Sequence, residues 1–224
     1  LSFFVTLITL PYWIKKTKQI GLVWEDMNKY EKSKIAGSGG LIVIMGFVLG
    51  VMTYIAIKTF VLKTNLTNIE IFALLTTILI SAFVALIDDI FGWRHGGLSA
   101  KLRIVLIFLA AVPLMVINVG YSRVAIPFLG VVDIGLIYPL IIIPLGIIGA
   151  STTFNFLAGY NGLEARQGVL IIGALSIVTF LTGYSWLSLI GLCMIASLLA
   201  FYFFNKFPAR VFPGDVLTYP VGAL

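Results

Sequence analysis

The feature that most constrains this chain is a series of long apolar runs without charge. Ile71–Ile87 spans 17 residues with no ionisable side chain. As an α-helix rising ~1.5 Å per residue it would be about 26 Å long, close to the ~30 Å hydrocarbon thickness of a bilayer. Comparable runs lie at roughly 1–14, 37–57, 69–87, 102–118, 131–153, 168–183, 185–204 and 212–224. The chain is 60% hydrophobic and 11% charged, whereas a soluble domain carries about 25% charged residues. A water-facing surface cannot be built from that composition. The pattern predicts an all-α, polytopic membrane helix bundle with seven to eight helices, without strands of period-two alternation. No repeat or long linker divides it, so residues 1–224 read as a single transmembrane domain. The chain opens and closes inside apolar runs and reads as a piece of a longer membrane protein.

Charge sets the orientation. If the first run passes inward, the segments 15–36, 88–101, 155–167 and 205–211 share one side. With Arg103 they hold 12 of the 15 lysines and arginines. Lys58, Lys63 and Arg123 fall opposite. The positive-inside rule makes the charged side cytoplasmic. Seven of the nine acids gather there too, although acids barely affect topology. Short outer loops explain this blandly, and a cytoplasmic active site explains it chemically. The net charge of +6 reports topology and contact with anionic lipid rather than nucleic acid. Asn65-Leu66-Thr67 in an outer segment forms a glycosylation sequon. Cys193 is alone and cannot form an intrachain disulfide.

Three segments carry residues suited to chemistry. Asp88-Asp89 closes an apolar run, where the negative end of a helix dipole opposes two carboxylates. Either the pair is solvated at the boundary, or a cation serves it: Arg94, Lys101, Arg103 or a metal ion. Asn155–Gly168 is rich in amides and glycine. It is either a ligand-binding loop or a plain Asn-Gly turn. Asp215 follows Arg210-Val-Phe-Pro-Gly and would start the last helix. It reads as a simple cap or as a magnesium ligand. The lysines between Trp24 and Gly40 serve phosphate or topology, and His95 reads as a loop histidine. No P-loop, zinc site or Ser/His/Asp triad is present.

In order and spacing these segments resemble the polyprenyl-phosphate N-acetylhexosamine-1-phosphate transferase family. The likeness is closest to its eukaryotic and archaeal branch, which uses UDP-GlcNAc and dolichyl phosphate. Asp26-Met-Asn-Lys29 looks like that branch's Asp-Leu-Asn-Lys, and Asp88-Asp89 is similar to the family's Asp-Asp motif. Asn155-Phe-Leu-Ala-Gly-Tyr-Asn-Gly-Leu-Glu164 matches Asn-Ile-Leu-Ala-Gly-Ile-Asn-Gly-Leu-Glu. Arg210-Val-Phe-Pro-Gly-Asp215 matches Arg-Val-Phe-Val-Gly-Asp. Ala158-Gly159 stands where bacterial members usually carry Asp-Gly.

The resemblance implies Asn155 and Asp215 as Mg²⁺ ligands. It implies Asn161 on uracil, Phe212 stacked against it, and Asp26 and Met27 as further substrate contacts. Asp88, Asp89 and Lys101 would form the catalytic set around the lipid phosphate. The implied reaction moves a sugar-1-phosphate from a UDP-sugar to a polyprenyl or dolichyl phosphate and releases UMP, the first lipid-linked step of glycan assembly. It implies a multi-pass protein of an archaeal plasma membrane or a eukaryotic endoplasmic reticulum, and a homodimer, since many relatives pair. Three positions depart from the pattern. Gly37 stands where the dolichol branch has Glu, Gly92 stands near an expected Asn, and Thr152 replaces another Asn. The family has about ten membrane helices, with a late cytoplasmic loop beyond the last run here. A membrane transporter or lipid flippase is the competing class, but it would place charges or broken helices at mid-membrane.

Overall fold

The computed structural model describes residues 1–27, 32–128 and 130–224, with the side chains of Arg94 and His95 also left aside. Asn28 and Lys29 and the side chains of Arg94 and His95, all named above, therefore lie outside the described residues. Eight α-helices form the described fold. They are α1 (Ser2–Ile20), α2 (Gly40–Ala56), α3 (Asn68–His95), α4 (Ala100–Ile117), α5 (Ile143–Phe156), α6 (Leu163–Leu181), α7 (Ser185–Asn205) and α8 (Asp215–Ala223). A π-helical turn, Ile57–Val61, extends α2, and another, Tyr138–Ile142, leads into α5. Six of these spans, at 40–61, 68–93, 100–117, 138–156, 163–181 and 185–205, are long and apolar enough to cross a membrane. The polytopic helical architecture is thus as the apolar runs predict.

Two local expectations change. Short antiparallel hairpins are present, β1 (Val23–Glu25) with β2 (Lys34–Ala36) and β3 (Arg123–Ile126) with β4 (Gly130–Asp133). The apolar run assigned to 131–153 therefore begins as a strand, and its helix starts only at the Tyr138 turn. Asp133 explains the break. Its Oδ1 accepts the N–H of Gly135 at 3.0 Å, and Gly135 takes a left-handed φ of +55°, so the chain turns there. Hydrogen bonding from Ser122 and Gly135 and the charge of Arg123 hold the exposed Asp133 carboxyl below the usual range. The first run also continues further than its apolar stretch, since α1 reaches Ile20. Lys18 lies in its last turn, where a cation suits the helix dipole.

Many large apolar side chains face outward, among them Phe72, Phe83, Leu175 and Phe180. Lipid, not water, covers such a surface, so apolar transfer contributes little to helix association there. Close approach between backbones does that work instead. An added Cβ at Gly46 would stand 2.2 Å from Thr6 Oγ1, and one at Gly50 would stand 1.9 Å from Ser2 Oγ. These glycines seat α1 against α2. The short α8 is the hub. It packs on α2, α3 and α5, and every residue from Val216 to Val221 is buried. A Cβ at Gly222 would come within 2.6 Å of Ala150 O and Ser151 Cα on α5.

That last contact sets how near the ends of α5 and α8 can come. Gly222→Val should therefore lower stability by about 1–3 kcal/mol, the usual cost of overpacking. Thermal or denaturant midpoints of the detergent-solubilised protein measure it.

Candidate active site

The site grows from the first turn of α8. A helix N-terminus leaves backbone N–H groups without intrahelical partners. Here Asp89, from the distant α3, supplies the acceptors. Its Oδ1 accepts from the Asp215 N–H at 2.8 Å, and its Oδ2 accepts from the Val216 N–H at 3.4 Å and the Ser38 hydroxyl at 2.9 Å. The carboxylate thus caps a helix to which it is not connected in sequence, and the positive end of that helix compensates its charge. Gly214 permits the approach. Its φ is +71°, and a Cβ there would lie 2.2 Å from Asp89 Oδ2.

Asp88 points elsewhere, because successive helical residues are turned about 100° apart. Its Oδ1 accepts from the Leu98 N–H at 2.5 Å, and its Oδ2 lies 2.9 Å from Arg103 Nε. Arg103 Nη1 donates to Tyr219 Oη at 3.3 Å, stands 3.9 Å from Asp215 Oδ2, and Nη2 donates to Leu98 O at 3.3 Å. Of the cations expected near the acid pair, Arg103 is thus the one in contact among the described side chains. Lys101 is exposed and forms no ion pair among the described residues, and Arg94 lies outside them.

Asn155 ends α5 facing α8. The Thr218 hydroxyl, one turn after Asp215, donates to Asn155 Oδ1 at 2.8 Å. This fixes the amide with its oxygen beside the Asp215 turn. On the next loop, Asn161 Nδ2 donates to Asp26 Oδ2 at 3.3 Å, tying that loop to the β1–β2 hairpin. Glu164, 4% exposed, accepts the Gly159 N–H on Oε1 at 2.9 Å. A further tie lies behind. Asn205, fully buried at the end of α7, accepts the Gly162 N–H at 3.0 Å and donates to Val211 O at 2.9 Å. Residues 211–213 then run beside the hairpin. The Phe212 N–H donates to Ala36 O at 2.8 Å, and the Gly39 and Gly40 N–H groups donate to Phe212 O and Pro213 O, each at 2.9 Å.

These ties enclose a cavity of about 630 Å³. Of the residues singled out from sequence, Asp26, Met27, Asp89, Asn155, Phe212 and Asp215 line it. Asn161 adjoins it through Asp26, Asp88 stands behind it on Arg103, and Lys101 is apart. Sequence reasoning gave no role to Trp24, Ser38, Asn205 or Thr218. Only Asn205 carried a signal, an amide closing an otherwise apolar run. Ser38 and Thr218 are common hydroxyls in unremarkable positions.

The donors suit a hard cation. Asp215 supplies a carboxylate and Asn155 an amide oxygen. Asp88 and Asp215 share one guanidinium, that of Arg103, and Asp89 has only backbone N–H groups and Ser38, which leaves negative charge uncompensated. No three His, Cys, Asp or Glu side chains among the described residues form a closed metal cage. Magnesium does not need one, because it takes one or two carboxylates and completes its shell with water and substrate phosphates.

Fold and cavity together define an integral membrane protein with an acidic, cation-suited site at one end of its helices. Residues 71–224 match the glycosyl transferase family 4, and the chain belongs to that family. It is 38% identical over 227 residues to a Saccharolobus solfataricus protein named for UDP-N-acetylglucosamine–dolichyl-phosphate N-acetylglucosaminephosphotransferase activity, covering all of this chain and 67% of that protein. A Sulfolobus acidocaldarius protein of the same name is 32% identical over 225 residues, covering 100% and 66%. A phospho-N-acetylmuramoyl-pentapeptide-transferase of Streptococcus pyogenes is 29% identical over 236 residues, covering 100% and 68%. The chain therefore spans about two thirds of the length of these relatives.

Asn205 offers a direct test of the loop ties. Asn205→Ala should cost about 2–4 kcal/mol, because it strands a buried N–H and a buried C=O. The loss should appear in the thermal or denaturant midpoint of the detergent-solubilised protein.

Proposed function

We propose that this protein transfers N-acetylglucosamine-1-phosphate, or a similar sugar phosphate, from a UDP-sugar to a polyprenyl or dolichyl phosphate. The observation that carries this reading is the convergence of Asp215 and Asn155 on one cavity with Asp26, Met27 and Phe212. The named activities of the relatives support the same chemistry. The gathering of lysine and arginine at this end favours a cytoplasmic face. A site at a membrane surface suits a reaction between one substrate in the bilayer and one in water. It does not suit a transporter, whose polar groups would sit at mid-membrane.

In this reading the Asn161–Asp26 pair and Phe212 receive the uracil end of the donor. Asp215 and Asn155 hold Mg²⁺, which neutralises the crowded phosphates when bound. Arg103, fixed by Asp88, Tyr219 and Leu98, faces the phosphate region. Lys101, exposed two residues earlier, is free to meet the lipid phosphate. An oxygen of that phosphate attacks the β-phosphorus, the bond to the UMP oxygen breaks, and UMP departs with the electron pair. No strong base is required, since the lipid phosphate is already ionised near neutral pH. Asp89 is a positioning residue, holding the α8 turn that presents Asp215. Catalysis then rests on alignment and charge neutralisation.

Asp215→Ala should abolish Mg²⁺-dependent UMP release from UDP-GlcNAc with dolichyl phosphate as acceptor; wild-type turnover in that variant would sink the assignment. UDP-GlcNAc with Mg²⁺ should raise the thermal midpoint of the wild-type protein, as any ligand of the native state does. Chelation should remove most of that rise.

A further inference from the structure

Trp24 lines the cavity together with Asp26 and Phe212, and nothing in the proposed reaction uses it. Its position follows from strand register. Trp24 pairs with Ile35 across the hairpin, so Gly37 is its diagonal neighbour on the same face, within reach of a large aromatic side chain. The indole lies directly on Gly37. A Cβ at Gly37 would stand 1.6 Å from Trp24 Cζ3, 2.1 Å from Cε3 and 2.8 Å from Cη2.

Gly37 is not there for conformation, because its φ is not in the left-handed region. It is there for space. Its backbone is also clamped: Trp13 Nε1 donates to Gly37 O at 3.1 Å, and the Gly37 N–H donates to Leu22 O at 3.1 Å. A side chain at 37 would therefore displace the indole rather than the strand.

The ring sits at an informative point along the cavity. Asp26 lies one residue past β1, with its N–H still donating to Ser33 O across the hairpin at 3.2 Å, so the strand alternation puts it on the face of Trp24, and Asp26 holds Asn161. On the other side, Gly37 precedes Ser38, which binds Asp89 at the α8 turn. Trp24 thus lies between the Asp26–Asn161 pair and the Ser38–Asp89 pair at the α8 turn.

We propose that Trp24 is a specificity-determining residue, packing its indole face against the nucleoside of the donor, and that Gly37 is the seat that admits it. This rests on the reading of the cavity as a nucleotide-sugar site. The indole forms an apolar wall at this point of the cavity. The wall holds the nucleoside by surface match and excludes water from the neighbouring phosphates.

The test uses purified protein in detergent with UDP-GlcNAc, dolichyl phosphate and Mg²⁺. Trp24→Ala should raise the KM for the UDP-sugar by about tenfold, the scale of one aromatic stacking contact, with kcat falling less than threefold. Gly37→Ala should do the same, and the double variant should be no worse than either single one, because both remove one contact. Trp24→Phe should restore most of the affinity. UDP should quench the wild-type tryptophan fluorescence, and the quenching should vanish in Trp24→Phe while binding persists. An active wild type whose KM is unmoved by Trp24→Ala and Gly37→Ala, both with near-native thermal midpoints, overturns the proposal alone. A wild type that binds no nucleotide overturns it together with the reaction assigned above. Quenching by other nucleoside diphosphates but not by UDP keeps the wall and overturns the uridine assignment.

Discussion

The site depends on one carboxylate holding the start of a helix it does not belong to. Asp89 on α3 accepts from Asp215 and Val216 at the head of α8 and from Ser38 beside the hairpin. Helix α8 is only nine residues long and is buried along nearly its whole length. Its orphan N–H groups would be costly without partners in a low-dielectric setting. Meeting them with a charged acceptor stabilises the helix and fixes where Asp215 projects. Three segments far apart in sequence meet at this one group.

Charge in the site is arranged by division of labour. The two acids of the Asp-Asp pair are adjacent in sequence yet serve different partners, because a helix turns between them. One carboxylate is absorbed by backbone and Ser38, and the other by Arg103 and the Leu98 turn. Arg103 is shared among Asp88, Tyr219 and Asp215. This leaves Asp215 the least compensated of the three, beside an amide oxygen oriented by Thr218. A cation and phosphates are the natural complement to that imbalance.

The sequence was most legible where physics is coarse. Uncharged runs of bilayer length predict the spans, and motifs in order predict which residues meet. It was least legible where backbone geometry decides. The strand at 131–133 is as apolar as a helix, and only the Asp133 turn separates them. Among three nearby cations, spacing alone could not choose Arg103 over Lys101, since the choice depends on how α4 leaves the Gly97 turn. The departure at Gly37 reads in sequence as a lost side chain. In three dimensions it is room for Trp24, and that follows only from strand register.

The wall formed by residues 211–213 lies beside residues 36–40, joined by a parallel bridge between Ala36 and Val211. These neighbours are separated by most of the chain. During biogenesis the N-terminal hairpin therefore emerges long before its partner, and so does Asp89. The early helices can enter the bilayer one by one, but the cavity closes only when α8 arrives. Insertion and maturation are thus separate events, and the site is completed only when α8, made well after α2 and α3, docks against them.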